Sequence, residues 1–445
     1  MEKEIKMNVV NPHAAGIDVG SRSHHAAVGQ QPADIREFGV YASDHQEMIR
    51  WFQGCGVKTV AMESTGSYWQ TLFAALQSAG FEVLLVNGRQ IKNVKGKTDV
   101  QDCVWIQRLH SLGLLTGSFL PRQHIAQLRT YYRHRQSLVE EAAKMTNKMQ
   151  KALRLMNVRL DIAVSDIMGA SGRRIIEAIL QGERSGEKLA QLADERVKKS
   201  RQEISLALQG HWQAELMYEL KDCYDLYQIF EQKMKDCDGQ MQQLLENTVP
   251  PLPDDTELPE LTRKKQRKNQ VKMDLARLSY QYTGVDLFAV EGVSHNTIMC
   301  LLAEVGDDIK KFSTAKQFAS WLRLAPNNKI SGNKLISSRT PKGKNKLAQA
   351  LRQAANSVEQ LKSGALASFF KRIAYRKGRG AAITATARKL AVILWNMIVH
   401  RIPYKPMDVS AYNERIRQNI IKNIRGKMKR LHISLDDLLL QSVRS

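Results

Sequence analysis

The stretch Ala14-Ala15-Gly16-Ile17-Asp18-Val19-Gly20 decides the fold. It is a short apolar run of strand length, bounded by glycine, with one carboxylate in its middle. Working outward, HHAAVGQ (24–30) and REFGVYA (36–42) repeat the texture at close spacing, so three strands follow one another. A helix is expected near 44–54, then a strand in KTVAMES (58–64) and a helix over 67–79. A fifth strand in FEVLLVN (81–87) and a helix in TDVQDCVWIQRLHSLG (98–113) close the unit.

Three strands and then alternating helices and strands is the order of an RNase H-like α/β domain. In such a sheet the first and fourth strands are neighbours, so Asp18 faces Glu63 at the end of the fourth strand in AMESTG. The final helix crosses the same sheet end and brings Asp99 and Asp102, three residues apart and therefore on one helix face. Four carboxylates converging without cations disfavour their own ionisation. Two Mg²⁺ ions about 3.5–4 Å apart, or Mn²⁺ in their place, resolve the repulsion, one activating an attacking oxygen and the other stabilising a leaving oxygen. Taken singly, each residue is ordinary. A strand Asp is commonly a hydrogen-bond anchor, and T-D-x-x-D is a common helix start with Thr98 or Asp99 as N-cap. The force lies in the combination and its strand order. Arg89, Lys92, Lys95 and Lys97 supply cations where a phosphodiester would lie. GIDVGS also fits the phosphate loop of an actin-like ATPase, although no second Asp-Gly-Gly-type loop follows.

A concentration of negative charge is unexpected in a chain with 67 Lys plus Arg against 44 Asp plus Glu and a formal net charge of +23. That excess favours a polyanionic partner, with nucleic acid the usual one and an anionic membrane surface the bland competitor. No apolar run of membrane-spanning length is evident and MEKEIKMNVV lacks a signal-peptide pattern, so a cytoplasmic protein without membrane contact is expected. The five cysteines (Cys55, Cys103, Cys223, Cys237, Cys300) form no Cys-x-x-Cys pair, which argues against a disulfide framework and a zinc site.

From about 122 the texture changes to long helices. Leu216, Leu220, Cys223, Tyr227, Phe230, Met234, Cys237, Met241 and Leu244 step in a sustained heptad seam, and a weaker one runs through Leu138, Ala142, Met145, Met149, Ala152 and Met156. Helices packed lengthwise follow, within one chain or between chains. VPPLPDDTELPEL (249–261) reads as a linker. It leads into the basic run TRKKQRKNQVK (262–272), either a solvated face or a phosphate-contacting segment through Lys264, Lys265 and Arg267. The expected division is 1–121 α/β, 122–248 helical coiled coil, 249–278 linker with basic run, 279–405 a mostly helical C-terminal domain, and 406–445 a basic helical tail. In the C-terminal domain, V-E-G-V-S (290–294) resembles a helix–hairpin–helix turn, whose backbone N–H groups can hold a phosphate. Beyond it, Lys329, Lys334, Arg339, Lys342 and Lys344 surround Ser331. On chemistry alone Ser331 is a turn former with no neighbouring base in the sequence.

These motifs together resemble the IS110-family transposases, in their IS1111-like branch. The resemblance spans nearly the whole chain: GIDVGS with Asp18, A-M-E-S-T-G-S-Y with Glu63, K-T-D-V-Q-D with Asp99 and Asp102, and L-A-P-x-x-x-x-S-G with Ser331. It implies a RuvC-like domain with a D-E-D-D Mg²⁺ site, a coiled coil, and a C-terminal transposase domain with a nucleophilic serine. It further implies a recombinase that moves an insertion element, guided by a noncoding RNA that pairs with target and donor DNA. Ser331 would then attack a phosphodiester beside the metal-bound carboxylates. A homo-oligomer, dimeric or tetrameric in the synaptic complex, would bring Ser331 of one protomer to the carboxylates of another. Two other classes stay open: a Holliday-junction resolvase-like nuclease that uses water, and a nucleic-acid scaffold without chemistry.

Overall fold

The computed structural model describes residues 8–91, 99–249, 259–343 and 345–432. The chain divides into two compact units, Met1–Leu120 and Pro121–Ser445.

The first unit is a mixed five-stranded sheet with helices on both faces. Its strands are β1 (Ala14–Val19), β2 (His24–Ala27), β3 (Ile35–Phe38), β4 (Thr59–Glu63) and β5 (Glu82–Val86), and its helices are α1 (Ala42–Gly54), α2 (Trp69–Ser78), α3 (Gly88–Ile91) and α4 (Asp99–Ser111). The spatial order is β3-β2-β1-β4-β5, with β1, β2 and β3 antiparallel and β1, β4 and β5 parallel. This is the strand arrangement expected from the sequence. Because side chains alternate along a strand, β1 and β4 each feed two cores. Ala15, Ile17, Val19, Val60 and Met62 pack with Met48, Ile49 and Phe52 of α1 and Leu72 and Leu76 of α2. Ala61 and Val86 turn to the other face and meet Ile106 of α4. Both faces of the central strands are thus buried, which explains why Ala14 to Ile17 are all apolar or glycine.

Among its described residues the second unit is helical apart from one hairpin. Its long elements are α5 (Gln123–Leu155) and α10 (Ala214–Thr248), bracketing the short helices α6 (Leu160–Ala163), α7 (Ala170–Leu180), α8 (Gly186–Gln191) and α9 (Arg201–Ala207). There follow α11 (Leu275–Thr283), α12 (His295–Glu304), α13 (Ala315–Trp321), strands β6 (Lys329–Ser331) and β7 (Lys334–Ser337), α14 (Lys346–Glu359), α15 (Ala365–Lys377), α16 (Arg379–His400) and α17 (Val409–Leu431).

The two heptad seams meet each other. Leu138, Ala142, Met145, Met149 and Ala152 share one core with Leu220, Cys223, Tyr227 and Met234, so α5 and α10 pair antiparallel within the chain. The pairing is locked by a buried ion pair. The Arg135 guanidinium donates from Nε and Nη2 to both Asp238 carboxylate oxygens, with side chains 3% and 5% exposed. Asp238 also accepts the Lys272 N–H, and Arg135 donates to the Asn269 carbonyl, so the basic run is fastened to the helix pair. At the start of α5, Arg133 forks onto buried Glu304 of α12 at 2.9–3.0 Å, and Arg129 donates to the Glu304 carbonyl at 2.6 Å.

One expectation fails here. By length and composition α16 could cross a membrane. The fold uses it as a central helix, with Leu390, Leu394 and Ile398 buried and the Trp395 indole donating to the Phe312 carbonyl. Contiguous small and apolar residues serve burial among α13, α14 and α15.

Candidate active site

In the first unit three carboxylates come to one face of the sheet. The β1–β4 register runs Gly16↔Ala61 and Ile17↔Met62, and one further step sets Asp18 beside Glu63. By alternation Gly16, Asp18, Ala61 and Glu63 all point away from the α1–α2 core and toward α4. Asp102 lies in the first turns of α4, and Asp18, Glu63 and Asp102 are each half-buried. Cys103, the next residue of α4, reports on the spot. Burial pushes its thiol up to about 12, and the negative charges of Asp18 and Asp102 push in the same direction. Asp99 is the first residue of α4, one turn before Asp102; its side chain lies outside the described residues, as do that of Arg89 and the whole of Lys92, Lys95 and Lys97.

The approach of α4 depends on a residue that the sequence reading passed over. A Cβ on Gly16 would stand 2.2 Å from the Gln107 backbone nitrogen and 2.6 Å from the Cys103 carbonyl oxygen. Only hydrogen at that position lets α4 come onto the sheet. Gln107 then ties the contact, donating to the Ala14 carbonyl at 3.1 Å and pairing with Gln30. The signal was present: Gly16 lies two residues before Asp18 and hence on the same face.

Among the described residues no group of three or more His, Cys, Asp or Glu is close enough to hold an ion. The donor set on this face is nonetheless all carboxylate oxygen, the ligand type of hard divalent cations. The donor set fits such an ion in chemistry, while the described side chains by themselves do not close around one.

In the second unit Ser331 ends β6, opposite Lys334 of β7. Gly332 (φ 50°) and Asn333 (φ 60°) form a two-residue turn with both residues left-handed, the type I′ geometry of tight hairpins. The sequence had read this segment as a basic loop; the Gly-Asn pair between Ile330 and Leu335 was the hairpin signal. The hairpin stands in solvent, with Ile330 65% and Ile336 66% exposed. Its base is closed by the Asn327 N–H donating to the Arg339 carbonyl at 3.1 Å, and by Arg323 donating to the Lys342 carbonyl.

Lys329, Lys334, Arg339 and Lys342 are exposed along this hairpin and its exit, and Lys265 and Arg267 are exposed in the basic run; Lys344 lies outside the described residues. Lys264 differs. It turns inward, and its ammonium donates to the Val290 and Val293 carbonyls at 3.0 and 2.9 Å, bracing the turn before α12. Burial lowers its pKa. Its charge here serves the fold. The N-terminus of α12 is capped by the Ser294 hydroxyl.

Comparison with known proteins agrees with these two regions. Residues 15–158, which contain Asp18, Glu63, Asp99 and Asp102, match the IS110 DEDD transposase domain model, described as "Transposase". Residues 286–371, which contain Ser331, match a second model, "Transposase IS116/IS110/IS902 family". A "Probable family 20 transposase" of Pseudomonas aeruginosa is 28% identical over 124 residues, 27% of this chain and 36% of that relative's length. The two family models together cover more than half of the sequence. The chain belongs to the IS110 family of transposases.

Proposed function

We propose that the protein is a DNA recombinase that excises and inserts a mobile element through a covalent Ser331 intermediate. The observation that carries this reading is the contrast in chemistry between the two regions: carboxylates gathered on one sheet face, and a serine presented at the tip of an exposed hairpin among cations. In the reaction the Ser331 Oγ bonds to phosphorus and loses its proton to solvent. The scissile P–O bond breaks, and the departing deoxyribose oxygen takes up a proton. Attack by the hydroxyl end of a second strand reverses these changes, so the number of phosphodiesters is conserved and no ATP is required.

Asp18, Glu63, Asp99 and Asp102 are the residues that would hold Mg²⁺ or Mn²⁺. Such ions, when bound, supply positive charge against the phosphate and favour the serine alkoxide. Lys329, Lys334, Arg339 and Lys342 would position the DNA backbone by charge. A noncoding RNA of the element supplies target and donor choice, as the family resemblance implies. The exposed basic helix α17, with seven Lys or Arg and one Glu, suits that partner together with Lys265 and Arg267. The IS1111-like branch and an oligomer with a composite site belong to the same reading, as does action in the cytoplasm. Because both heptad seams are filled within the chain, protomers would meet through other surfaces.

The test is covalent capture. Tagged protein expressed with its flanking DNA is purified under denaturing conditions and attached DNA is end-labelled. Attached DNA is expected with the wild type and absent with Ser331→Ala and Asp102→Asn. Recombined or nicked DNA at wild-type levels with Ser331→Ala would replace this reading with a water-using nuclease.

A further inference from the structure

The second unit has a groove that shares only Arg339 with the residues placed in the reaction above. It has a volume of about 1070 Å³ and lies between the hairpin base and helices α13, α15 and α16. Its rim carries six cations, Lys316, Arg339, Arg376, Lys377, Arg388 and Lys389, and no Asp or Glu is among its described lining residues. Its floor is apolar, built from Leu324, Phe369, Ile373 and Val392.

We propose that this groove binds a short single-stranded run of the DNA, with bases on the apolar floor and phosphates on the cationic rim. A duplex presents only phosphates to such a surface and would leave the floor solvated, whereas unpaired bases use both parts. A protein segment would bring at most a few carboxylates to six cations, so charge complementarity favours the polyanion. The size is right: ligand pockets commonly run from about 300 to 1,000 Å³, so a few nucleotides fit.

Position makes the groove relevant to Ser331. Its lining includes Leu324 and Pro326, which precede β6, and Ser338, Arg339 and Thr340, which follow β7. Ser331 pairs with Lys334, and four residue-to-residue steps of extended chain lead from Lys334 to Ser338, about 13 Å. A strand seated in the groove therefore emerges within a few nucleotides of the serine hydroxyl. The groove would hold the strand unpaired next to the bond to be attacked, which exposes the scissile phosphate. Lys389 is set for this: it lies 4.7 Å from the Phe369 ring centroid, where it bridges floor and rim.

This inference deepens the proposed reaction and rests on it for the source of the strand, but oligonucleotide binding requires no cleavage. The experiment measures fluorescence anisotropy of the full chain with a labelled element-end oligonucleotide of about 12 nucleotides, single-stranded and as a duplex. The variants are Ala385→Trp, which plugs the groove without changing charge, and Ile373→Ser, which roughens its floor. Each is expected to weaken single-strand binding about tenfold while duplex binding holds within about twofold. Circular dichroism melting checks that the variants fold; if Ala385→Trp does not fold, Ile373→Ser carries the test. Unchanged single-strand binding, or parallel loss of both forms, overturns the proposal. Loss of covalent capture with Ser331→Ala has no bearing on these affinities, so the two readings fail separately.

Discussion

Asp18 and Glu63 stand on neighbouring interior strands of a sheet covered by helices on both faces, with Asp102 on α4 above them, whereas Ser331 stands at the tip of a two-stranded hairpin whose apolar side chains lie in solvent. The first arrangement fixes positions through packing. On the proposed reading these carboxylates share a cation and need such fixity, since their mutual repulsion would otherwise spread them apart. The second arrangement gives reach. On the proposed reading, a nucleophile that enters a nucleic-acid substrate gains from such a narrow projecting support, held only by its turn and base. Rigidity sits with the carboxylates, and access sits with the serine.

The largest expected effect asks whether the serine-bearing unit is weakly held throughout or only at its hairpin. Arg135→Ala leaves the buried Asp238 carboxylate without its charged partner and should cost roughly 3–5 kcal/mol in urea denaturation. A loss below about 1 kcal/mol would extend the weakness to the whole unit. Next, Gly16→Ala drives a methyl into the α4 backbone and should destabilise the first unit by about 3 kcal/mol and abolish strand capture. An unchanged melting temperature would mean that α4 is not seated as described.

A pH series sharpens the contrast further. His24 is 1% exposed and stacked on His45, and burial, followed by the neighbouring His45, lowers its pKa from 6.5 to about 4. The folded state keeps the ring neutral while the unfolded chain takes up a proton below pH 6.5. Stability of the first unit is therefore full above that value and falls as pH drops toward 4, by about 2 kcal/mol between pH 6.5 and 4.5. His24→Phe should flatten the slope over that window; an unaltered slope would assign it to other groups. The smallest effect concerns the hairpin turn. Gly332→Ala at φ 50° should strain the turn by about 1 kcal/mol. It should lower recombination while leaving the global melting temperature within about 1 °C, because the hairpin contributes little to the core.

The sheet was legible because both of its signals are local. Strand-length apolar runs gave the order, and alternation placed Asp18 and Glu63 on one face once β1 and β4 were neighbours. The heptad seams predicted lengthwise packing but could not name the partner, since a seam looks the same whichever helix fills it. Asp238 was invisible for a related reason: it flanks the seam at Cys237, and only the facing Arg135 makes its burial tolerable. At 327–344 the density of lysines masked the Gly-Asn turn, so a hairpin was read as a loop. The inward turn of Lys264 was not legible, because charge in a sequence does not reveal which carbonyls lie within reach.

Helix α5 has a mechanical consequence. Its 33 residues make a rod about 50 Å long. One end is riveted to α12 through Arg129 and Arg133, and the other carries the cap formed by α6 to α9. Stiffened along its length by α10, such a rod acts as a lever. A tilt of about 10° at the rivet, about 36 Å from the far end, sweeps the cap through about 6 Å, so small adjustments beside α12 become large displacements at the far end.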